Sequence, residues 1–101
     1  MELIEIITPD ELAEKLASGE KVELVDVREY EEIEQGMIPG AKHIPMMSIP
    51  ENLDHFDKEK EYIFICRSGS RSANVCYYLQ EQGYRVRNMV GGMMNWTGEV
   101  K

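Results

Sequence analysis

The stretch "IFICRSGSRS", Ile63 to Ser72, decides how this chain folds. It begins with β-branched and aromatic residues, which are typical of a strand that is buried on both faces. At Cys66 the composition changes to small and basic residues, and the segment from Ser72 to Gln82 then has the apolar pattern of a buried helix that ends at Gly83. We therefore predict a strand, a tight loop that starts with a cysteine, and a helix.

Helices are also predicted on both sides of this stretch. The first begins at the N-cap Thr8, with Pro9 at its first position and Glu11 closing a capping box, and it ends at Gly19. Shorter helical pieces are expected in "EYEEIEQ" (29–35), in "SIPENLDHF" (48–56, helical or irregular) and in the run after Gly91-Gly92.

Strands alternate with these helices along the chain. The predicted strands are Leu3–Ile7, Val22–Val27, Ala41–Pro45, Glu61–Ile65 and Tyr84–Val90. Such alternation implies right-handed βαβ units and a mostly parallel sheet. The expected fold class is therefore α/β, with a five-stranded, mostly parallel central sheet flanked by helices.

Length and charge limit the kind of protein this is. At 101 residues, with 43% hydrophobic and 30% charged residues, residues 1–101 are expected to form one globular domain. The net charge of −8 argues against a nucleic acid or an anionic membrane surface as the partner. No apolar run reaches the roughly 18 residues that span a bilayer, and the acidic N-terminus does not have the pattern of a signal peptide. A cytoplasmic location is expected.

The two cysteines are not expected to form a disulfide. A reducing cytosol disfavours a structural disulfide. Cys66 and Cys76 are also predicted to lie ten positions apart along one helical segment, roughly 15 Å by helical rise, which is too far for a bridge. We expect Cys76 to be an inert core thiol.

The loop after Cys66 has the composition of an anion-binding site. In open α/β sheets ligands bind beyond the carboxyl ends of the strands, and Cys66 is the one nucleophile that directly follows a predicted strand. Loop amides and the helix N-terminus would lower the pKa of this thiol, and Arg67 and Arg71 would lower it further. Three serines add hydroxyl donors, and we expect one of them to cap the helix. This points to a thiolate nucleophile that faces an oxyanion, with a buried structural cysteine as the alternative.

Three separated segments now show a resemblance to a known family. "LVDVREYEEIEQGMIPGAKHIP", "CRSGSRS" and "MVGGMMNW" are similar, in this order, to the motifs of the rhodanese-like sulfurtransferases. Met37 departs from the family pattern, which commonly has a histidine there, at a position that we interpret as structural. The matching positions outside the central loop are Asp26, Arg28, Glu32, Gly36, Ile38, Pro39, Gly40, Ala41, Gly91, Gly92 and Trp96.

The resemblance implies a three-layer α/β sandwich and a double-displacement mechanism. Cys66 would take the outer sulfur of a small donor such as thiosulfate, and the resulting persulfide would pass that sulfur to a thiol or protein acceptor. No metal or organic cofactor is expected, and the protein would be a monomer or a weak homodimer. The implied substrate-binding residues are Arg67, Ser68, Gly69, Ser70, Arg71 and Ser72.

Two other functions stay open. A persulfide carrier or binding module with little thiosulfate activity would use the same cysteine. A phosphatase or arsenate reductase is less favoured, because only four residues separate Cys66 from Arg71, and a ring one residue shorter than in related phosphatases has less room for a tetrahedral phosphate.

Several other polar and sulfur-containing residues receive structural interpretations. Asp26 and Arg28 are expected in structural ion pairs, with Glu32 as the partner of Arg28. His43 and His55 lack metal-ligand spacing. The methionines are interpreted as core filling, with pocket lining as the alternative: Met46, Met47, Met89, Met93 and Met94.

Overall fold

A computed structural model describes residues 3–101, and Met1 and Glu2 of the predicted domain lie outside this description. Strands and helices alternate along the chain, as the sequence predicts. The strands are β1 (Glu5–Ile7), β2 (Glu23–Asp26), β3 (Lys42–His43), β4 (Glu61–Ile65) and β5 (Arg85–Met89). The α-helices are α1 (Pro9–Ala17), α2 (Tyr30–Ile33) and α3 (Ser70–Glu81), and short 3₁₀ helices span Met46–Ser48, Pro50–His55 and Gly92–Asn95.

All five strands are parallel, in the order β1-β5-β4-β2-β3. The strand β4 therefore lies at the centre, between β2 and β5. From β2 the chain moves outward to β3, whereas from β4 it moves the other way, to β5. The direction of winding reverses between β2 and β4, so the carboxyl ends of these two strands flank the crevice where open α/β sheets bind ligands.

The central strand β4 contributes to a hydrophobic core on each face of the sheet. Tyr62 and Phe64 pack on one face, towards α3, together with Cys66 just beyond the strand. Ile63 and Ile65 pack on the other face, towards α1. This alternation follows from the two-residue period of a strand, and it explains why "YIFI" is apolar throughout. Helices on both faces confirm the predicted three-layer α/β architecture.

The start of α1 confirms the predicted cap in detail. The Thr8 side chain accepts a hydrogen bond from the Glu11 N–H (3.1 Å), and the Glu11 carboxylate accepts one from the Thr8 N–H (2.9 Å). Each bond satisfies a donor that the helix itself leaves without a partner.

The start of α3 differs from the prediction. We expected a helix from Ser72 with a serine as its cap, but α3 begins at Ser70 and its N-cap is Gly69, which makes no side-chain cap. Gly69 has φ +103°, a left-handed conformation that favours glycine. The loop thus enters the helix two residues early, which brings Ser72 inside the first turn.

Within residues 3–101, no helix combines the length and the apolar character that a membrane crossing requires.

Candidate active site

The carboxyl ends of β2 and β4 lie side by side. The Val27 N–H donates to the Ile65 carbonyl (2.9 Å), and the Met46 N–H donates to the Val27 carbonyl (3.0 Å), so the two strand ends and the first 3₁₀ helix form one edge. Cys66 follows β4 at this edge, and its side chain is fully buried. The predicted nucleophile therefore lies at the switch in winding direction.

The short 3₁₀ helix 92–95 holds the loop from its outer side. The Met93 N–H donates to the Cys66 carbonyl (2.9 Å), and the Met94 N–H donates to the Arg67 carbonyl (2.9 Å). Gly92 makes this close approach possible, because it has φ +57° and a Cβ there would collide with the Arg67 carbonyl. Gly92 of the "MVGGMMNW" segment thus shapes the loop after Cys66.

The loop directs hydrogen-bond donors at the cysteine sulfur. The Gly69 N–H lies 3.0 Å from the Cys66 Sγ, and the Ser72 Oγ lies 3.3 Å from it. Both bonds are buried, and both favour a negative charge on the sulfur. The early start of α3 places these donors close to the sulfur.

Burial and hydrogen bonding act on this thiol in opposite directions. Burial raises the pKa of Cys66, but the hydroxyl and the backbone N–H of Ser72 lower it, and so do the amides of Gly69 and Ser68. The hydrogen bonds prevail, and the pKa of the thiol lies below its ordinary value. We predicted that Arg67 and Arg71 would contribute, but neither is among these largest effects. The hydroxyl and amides of the loop and of the first turn of α3 therefore account for the lowered pKa.

Arg71 is engaged with a carboxylate at the rim of the site. Its Nη1 and Nη2 atoms lie 2.7 Å from the two carboxylate oxygens of Glu32, in a bidentate pair. This pairing lowers the pKa of Glu32 to about 2 and raises the pKa of Arg71. Arg67, by contrast, is exposed and forms no ion pair within residues 3–101.

The predicted pairing of Arg28 with the Glu32 carboxylate is wrong. The Arg28 Nη2 lies 2.8 Å from Asp26 Oδ2, and its Nε also donates to that carboxylate. Asp26 is fully buried, and the same guanidinium donates to the Gly36 carbonyl (2.9 Å). Glu32 offers Arg28 only its backbone carbonyl, at 3.5 Å, because its carboxylate binds Arg71. Asp26 and Arg28 do form the expected structural ion pair, but they form it with each other.

The predicted placement of the two cysteines on one helix is also wrong. Cys66 precedes α3, and only Cys76 lies on that helix. Both thiols are free and belong to the same hydrophobic core. Burial, and then the nearby Cys66, raise the pKa of Cys76 to about 12, which fits the expected inert core thiol.

An open cleft lies beside the loop. It is lined by charged groups, among them Arg28, Glu32 and Arg67, and also by Met93, Met94 and Trp96. Of the methionines that we assigned to the core, Met89 is fully buried, whereas Met47 and Met94 are 76% and 67% exposed. The methionines are therefore divided between core and surface.

Met37 lies beside the C-terminal residue Lys101. Its N–H donates to the Lys101 carbonyl (3.3 Å), and its own carbonyl accepts from the Lys101 N–H (2.9 Å). These contacts involve only the backbone, so they do not require the histidine that the family commonly has at this position.

Asn88 contributes to the site, although the sequence did not identify it. It lies on β5, is 6% exposed, and accepts a hydrogen bond from the Ser72 hydroxyl through its Oδ1. Its Nδ2 donates to the Gly69 carbonyl (3.0 Å). A polar residue in the otherwise apolar end of a buried strand was the available signal.

Both the sequence and the fold of this chain match known proteins. The family model described as "Rhodanese-like domain" matches residues 8–99. The chain is 56% identical over 101 residues to "Putative sulfurtransferase YtwF" of Bacillus subtilis, covering 100% of this chain and 97% of that protein. It is 43% identical over 96 residues to "Sulfurtransferase" of Allochromatium vinosum, covering 94% and 90%.

More distant relatives have names that refer to sulfur donors and carriers. "Thiosulfate sulfurtransferase GlpE" of Coxiella burnetii is 32% identical over 83 residues, covering 81% of this chain and 78% of that protein. "Putative sulfur carrier protein YrkF" of Bacillus subtilis is 35% identical over 96 residues, covering 94% of this chain but only 52% of that protein.

A solved structure has the same fold. The crystal structure of a rhodanese-like domain protein from Staphylococcus aureus superposes with a TM-score of 0.92 at 44% identity, covering 97% of each chain. Both the family model and these relatives cover nearly the whole chain. Two relatives of similar length are named "Putative sulfurtransferase YtwF" and "Sulfurtransferase", and the protein belongs to the rhodanese-like domain family.

Proposed function

We propose that this protein transfers a sulfane sulfur from a donor such as thiosulfate to a thiophilic acceptor through a persulfide on Cys66. The observation that carries the proposal is the environment of the Cys66 sulfur. It is buried at the switch point of the sheet, it receives hydrogen bonds from Gly69 and Ser72, and the pKa of its thiol is lowered. Donors of this kind stabilise a negative charge on the sulfur, which favours its reaction as a thiolate nucleophile.

In the first step the Cys66 thiolate attacks the outer sulfur of thiosulfate. A bond forms between the two sulfurs as the S–S bond of thiosulfate breaks, and sulfite leaves with that electron pair. The single negative charge of the thiolate moves to the outer sulfur of the new persulfide. No external oxidant is needed, because the sulfane sulfur is passed on intact.

In the second step the acceptor takes the outer sulfur. Cyanide, or the thiolate of an acceptor, attacks that atom, the persulfide bond breaks, and the electron pair returns to Cys66 as a thiolate. Gly69 and Ser72 would stabilise the negative charge at the start and the end of this cycle. The Gly69 amide is fixed by the fold, so it needs no reorganisation during the reaction.

Arg67 is the side chain proposed to bind the sulfonate end of the donor. It is exposed beside Cys66 and has no carboxylate partner within the described residues, whereas Arg71 is neutralised by Glu32. A guanidinium offsets the charge of an approaching dianion and matches its oxygens geometrically. Ser68 and Ser70, whose hydroxyls lie 3.3 Å apart at the exposed rim, are proposed as further donors.

A persulfide carrier that serves a protein donor and a protein acceptor is the second candidate. Two observations favour it: the exposed methionines Met47 and Met94, and the relative whose name refers to a sulfur carrier. Flexible, polarisable methionines are used at adaptable protein-binding surfaces. The carrier and the enzyme share the persulfide and differ in how fast thiosulfate loads it.

Steady-state kinetics with thiosulfate and cyanide test the enzyme. Double displacement predicts parallel double-reciprocal lines for thiocyanate formation, and Cys66→Ser should abolish turnover. Loading by thiosulfate that is slower than loading by a protein persulfide would favour the carrier. Hydrolysis of an aryl phosphate through Cys66, faster than thiosulfate turnover, would contradict both and favour the phosphatase.

A further inference from the structure

The hydroxyl of Ser72 lies between two acceptors. Its Oγ is 3.3 Å from the Cys66 Sγ, and it also makes a short hydrogen bond to the Asn88 Oδ1. A serine hydroxyl carries one proton, so it can donate to only one of these atoms at a time. The Ser72 hydroxyl therefore donates either to the sulfur or to the Asn88 Oδ1, but not to both at once.

The amide of Asn88 is oriented by a second hydrogen bond. Its Nδ2 donates to the Gly69 carbonyl at 3.0 Å, which directs the Oδ1 at Ser72. The reversed amide would place two acceptors against each other at Gly69. Asn88 is 6% exposed and Ser72 is fully buried, so bulk water does not replace a missing donor at the Oδ1.

The protonation state of the sulfur determines which of the two acceptors receives the Ser72 proton. When Cys66 is a thiol, its S–H can donate to the Ser72 oxygen while the Ser72 hydroxyl donates to Asn88, and every group has a partner. When Cys66 is a thiolate, it has no proton to donate and becomes the stronger acceptor. The Ser72 hydroxyl then donates its hydrogen bond to the sulfur, and the Asn88 Oδ1 is left without a donor.

We infer that Asn88 is a positioning residue that competes with the Cys66 sulfur for the single proton of Ser72, so that the hydroxyl turns from Asn88 to the sulfur when Cys66 is deprotonated. The competition favours the thiol form, because only that form satisfies all three groups. Asn88 thus opposes the activation that the loop amides provide. The inference rests on Cys66 as the nucleophile of the proposed function, but its test requires no sulfur transfer.

Charged groups also lie on the loop and on the elements beside it. The loop contributes Arg67 and Arg71, α2 contributes Glu32, and the end of β2 contributes the Asp26–Arg28 pair, to which His43 of β3 is hydrogen-bonded through the Arg28 carbonyl. On α3, Cys76 stays protonated because its pKa is about 12. Cys76 is replaced by alanine in all of the variants below and the other groups are left unchanged, so differences between variants report on Ser72 and Asn88.

The test is the pH dependence of Cys66 alkylation by iodoacetamide, measured in a Cys76→Ala background so that one thiol reacts. We expect Ser72→Ala to raise the midpoint by about one to two pH units, because the thiolate loses a donor. Asn88→Leu should lower it by about half a unit, because the competing acceptor is gone. In the Ser72→Ala background, Asn88→Leu should have no further effect.

An equal shift from Asn88→Leu in both backgrounds would overturn the inference, because Asn88 would then act only through the Gly69 carbonyl. A higher alkylation midpoint in the protein that carries Asn88→Leu with Ser72 intact would overturn the inference as well. Ser72→Thr keeps the hydroxyl and should restore the midpoint that Ser72→Ala loses.

A spectroscopic measurement keeps the inference testable if Asn88→Leu does not fold. In the Cys76→Ala protein below the Cys66 midpoint, the Raman S–H stretch should be shifted to the low frequency of a hydrogen-bonded donor. Ser72→Ala should return it to the frequency of a free thiol. A free S–H stretch in the protein with Ser72 and Asn88 intact would contradict the arrangement.

Discussion

The bidentate pair between Glu32 and Arg71 predicts a pH-dependent loss of stability in Glu32→Gln. The glutamine keeps the size of the side chain but removes the charge that Arg71 binds through two bonds of 2.7 Å. Lowering the pKa of one carboxyl from 4.5 to about 2 corresponds to about 3 kcal/mol of folding free energy. The two side chains are 27% and 30% exposed, so solvent screening reduces this to about 1–2 kcal/mol at neutral pH.

The sign of the pH dependence follows from the lowered pKa of Glu32. Because the folded pKa lies below the unfolded one, the stabilisation is complete above the unfolded pKa of 4.5 and is lost as the pH falls towards about 2. The difference in unfolding free energy between the native protein and Glu32→Gln should therefore be largest at neutral pH. It should fall to less than half at about pH 3.

Urea denaturation at the two pH values measures this difference directly. Glu31→Gln is the matched control, because Glu31 is an exposed neighbour on α2 that forms no ion pair within residues 3–101. It should change stability little at either pH. A loss in Glu32→Gln that is the same at both pH values would refute the assignment of this carboxylate as the charged partner of Arg71.

Three further predictions concern the loop and the second cysteine. Gly92→Ala should destabilise the protein by at least about 2 kcal/mol, because Gly92 has a positive φ and the new Cβ would collide with the Arg67 carbonyl. Thermal unfolding measures this loss, and an unchanged Tm would contradict the close packing of Gly92 against the loop. Arg67→Gln should raise KM for thiosulfate about three- to tenfold with little change in kcat, whereas Arg67→Lys should recover part of the loss; an unchanged KM would remove Arg67 from donor binding. Cys76→Ser should retain turnover of thiosulfate in the folded protein, and a Cys66–Cys76 disulfide trapped by mild oxidation would show that Cys76 is not inert.

Local patterns were sufficient wherever one segment determines its own structure. The strand β4 has the predicted bounds, Glu61–Ile65, because an unbroken apolar run beside turn residues is compatible with few alternatives. The capping box of α1 was predictable because Thr8 and Glu11 are three residues apart and interact only with each other's backbone. The start of α3 was predicted two residues late, because the left-handed conformation of Gly69 depends on the loop around it.

Contacts between distant segments could not be predicted from one sequence. The side chain of Arg28 can reach acidic residues at positions 26 and 32. It pairs with Asp26 because Arg71 occupies the carboxylate of Glu32. Arg71 is 39 residues from Glu32, and only the parallel order of β2 and β4 brings them together. Asn88 was missed for the same reason, because its role comes from the adjacency of β5 to the loop after β4.

The position of Cys66 at the carboxyl edge of the sheet, in contrast, followed from composition and fold class together. A cysteine at the carboxyl end of the central strand, followed by small and basic residues, indicated an anion-stabilised thiolate before any contact was known. The structure adds that Ser72 and the loop amides, more than the arginines, lower the pKa of that thiol. The resemblance to a family supplied the sulfur chemistry, which local geometry alone did not distinguish from other thiolate reactions.

A single-turnover experiment tests the persulfide on Cys66 most directly. The protein is treated with thiosulfate, the donor is removed, and the peptides are analysed by mass spectrometry before and after cyanide is added. A persulfide on Cys66 predicts one extra sulfur atom on the Cys66 peptide, none on the Cys76 peptide, and one equivalent of thiocyanate as the label disappears. Thiocyanate that forms only while donor and cyanide are present together, or a label that persists in Cys66→Ser, would contradict it.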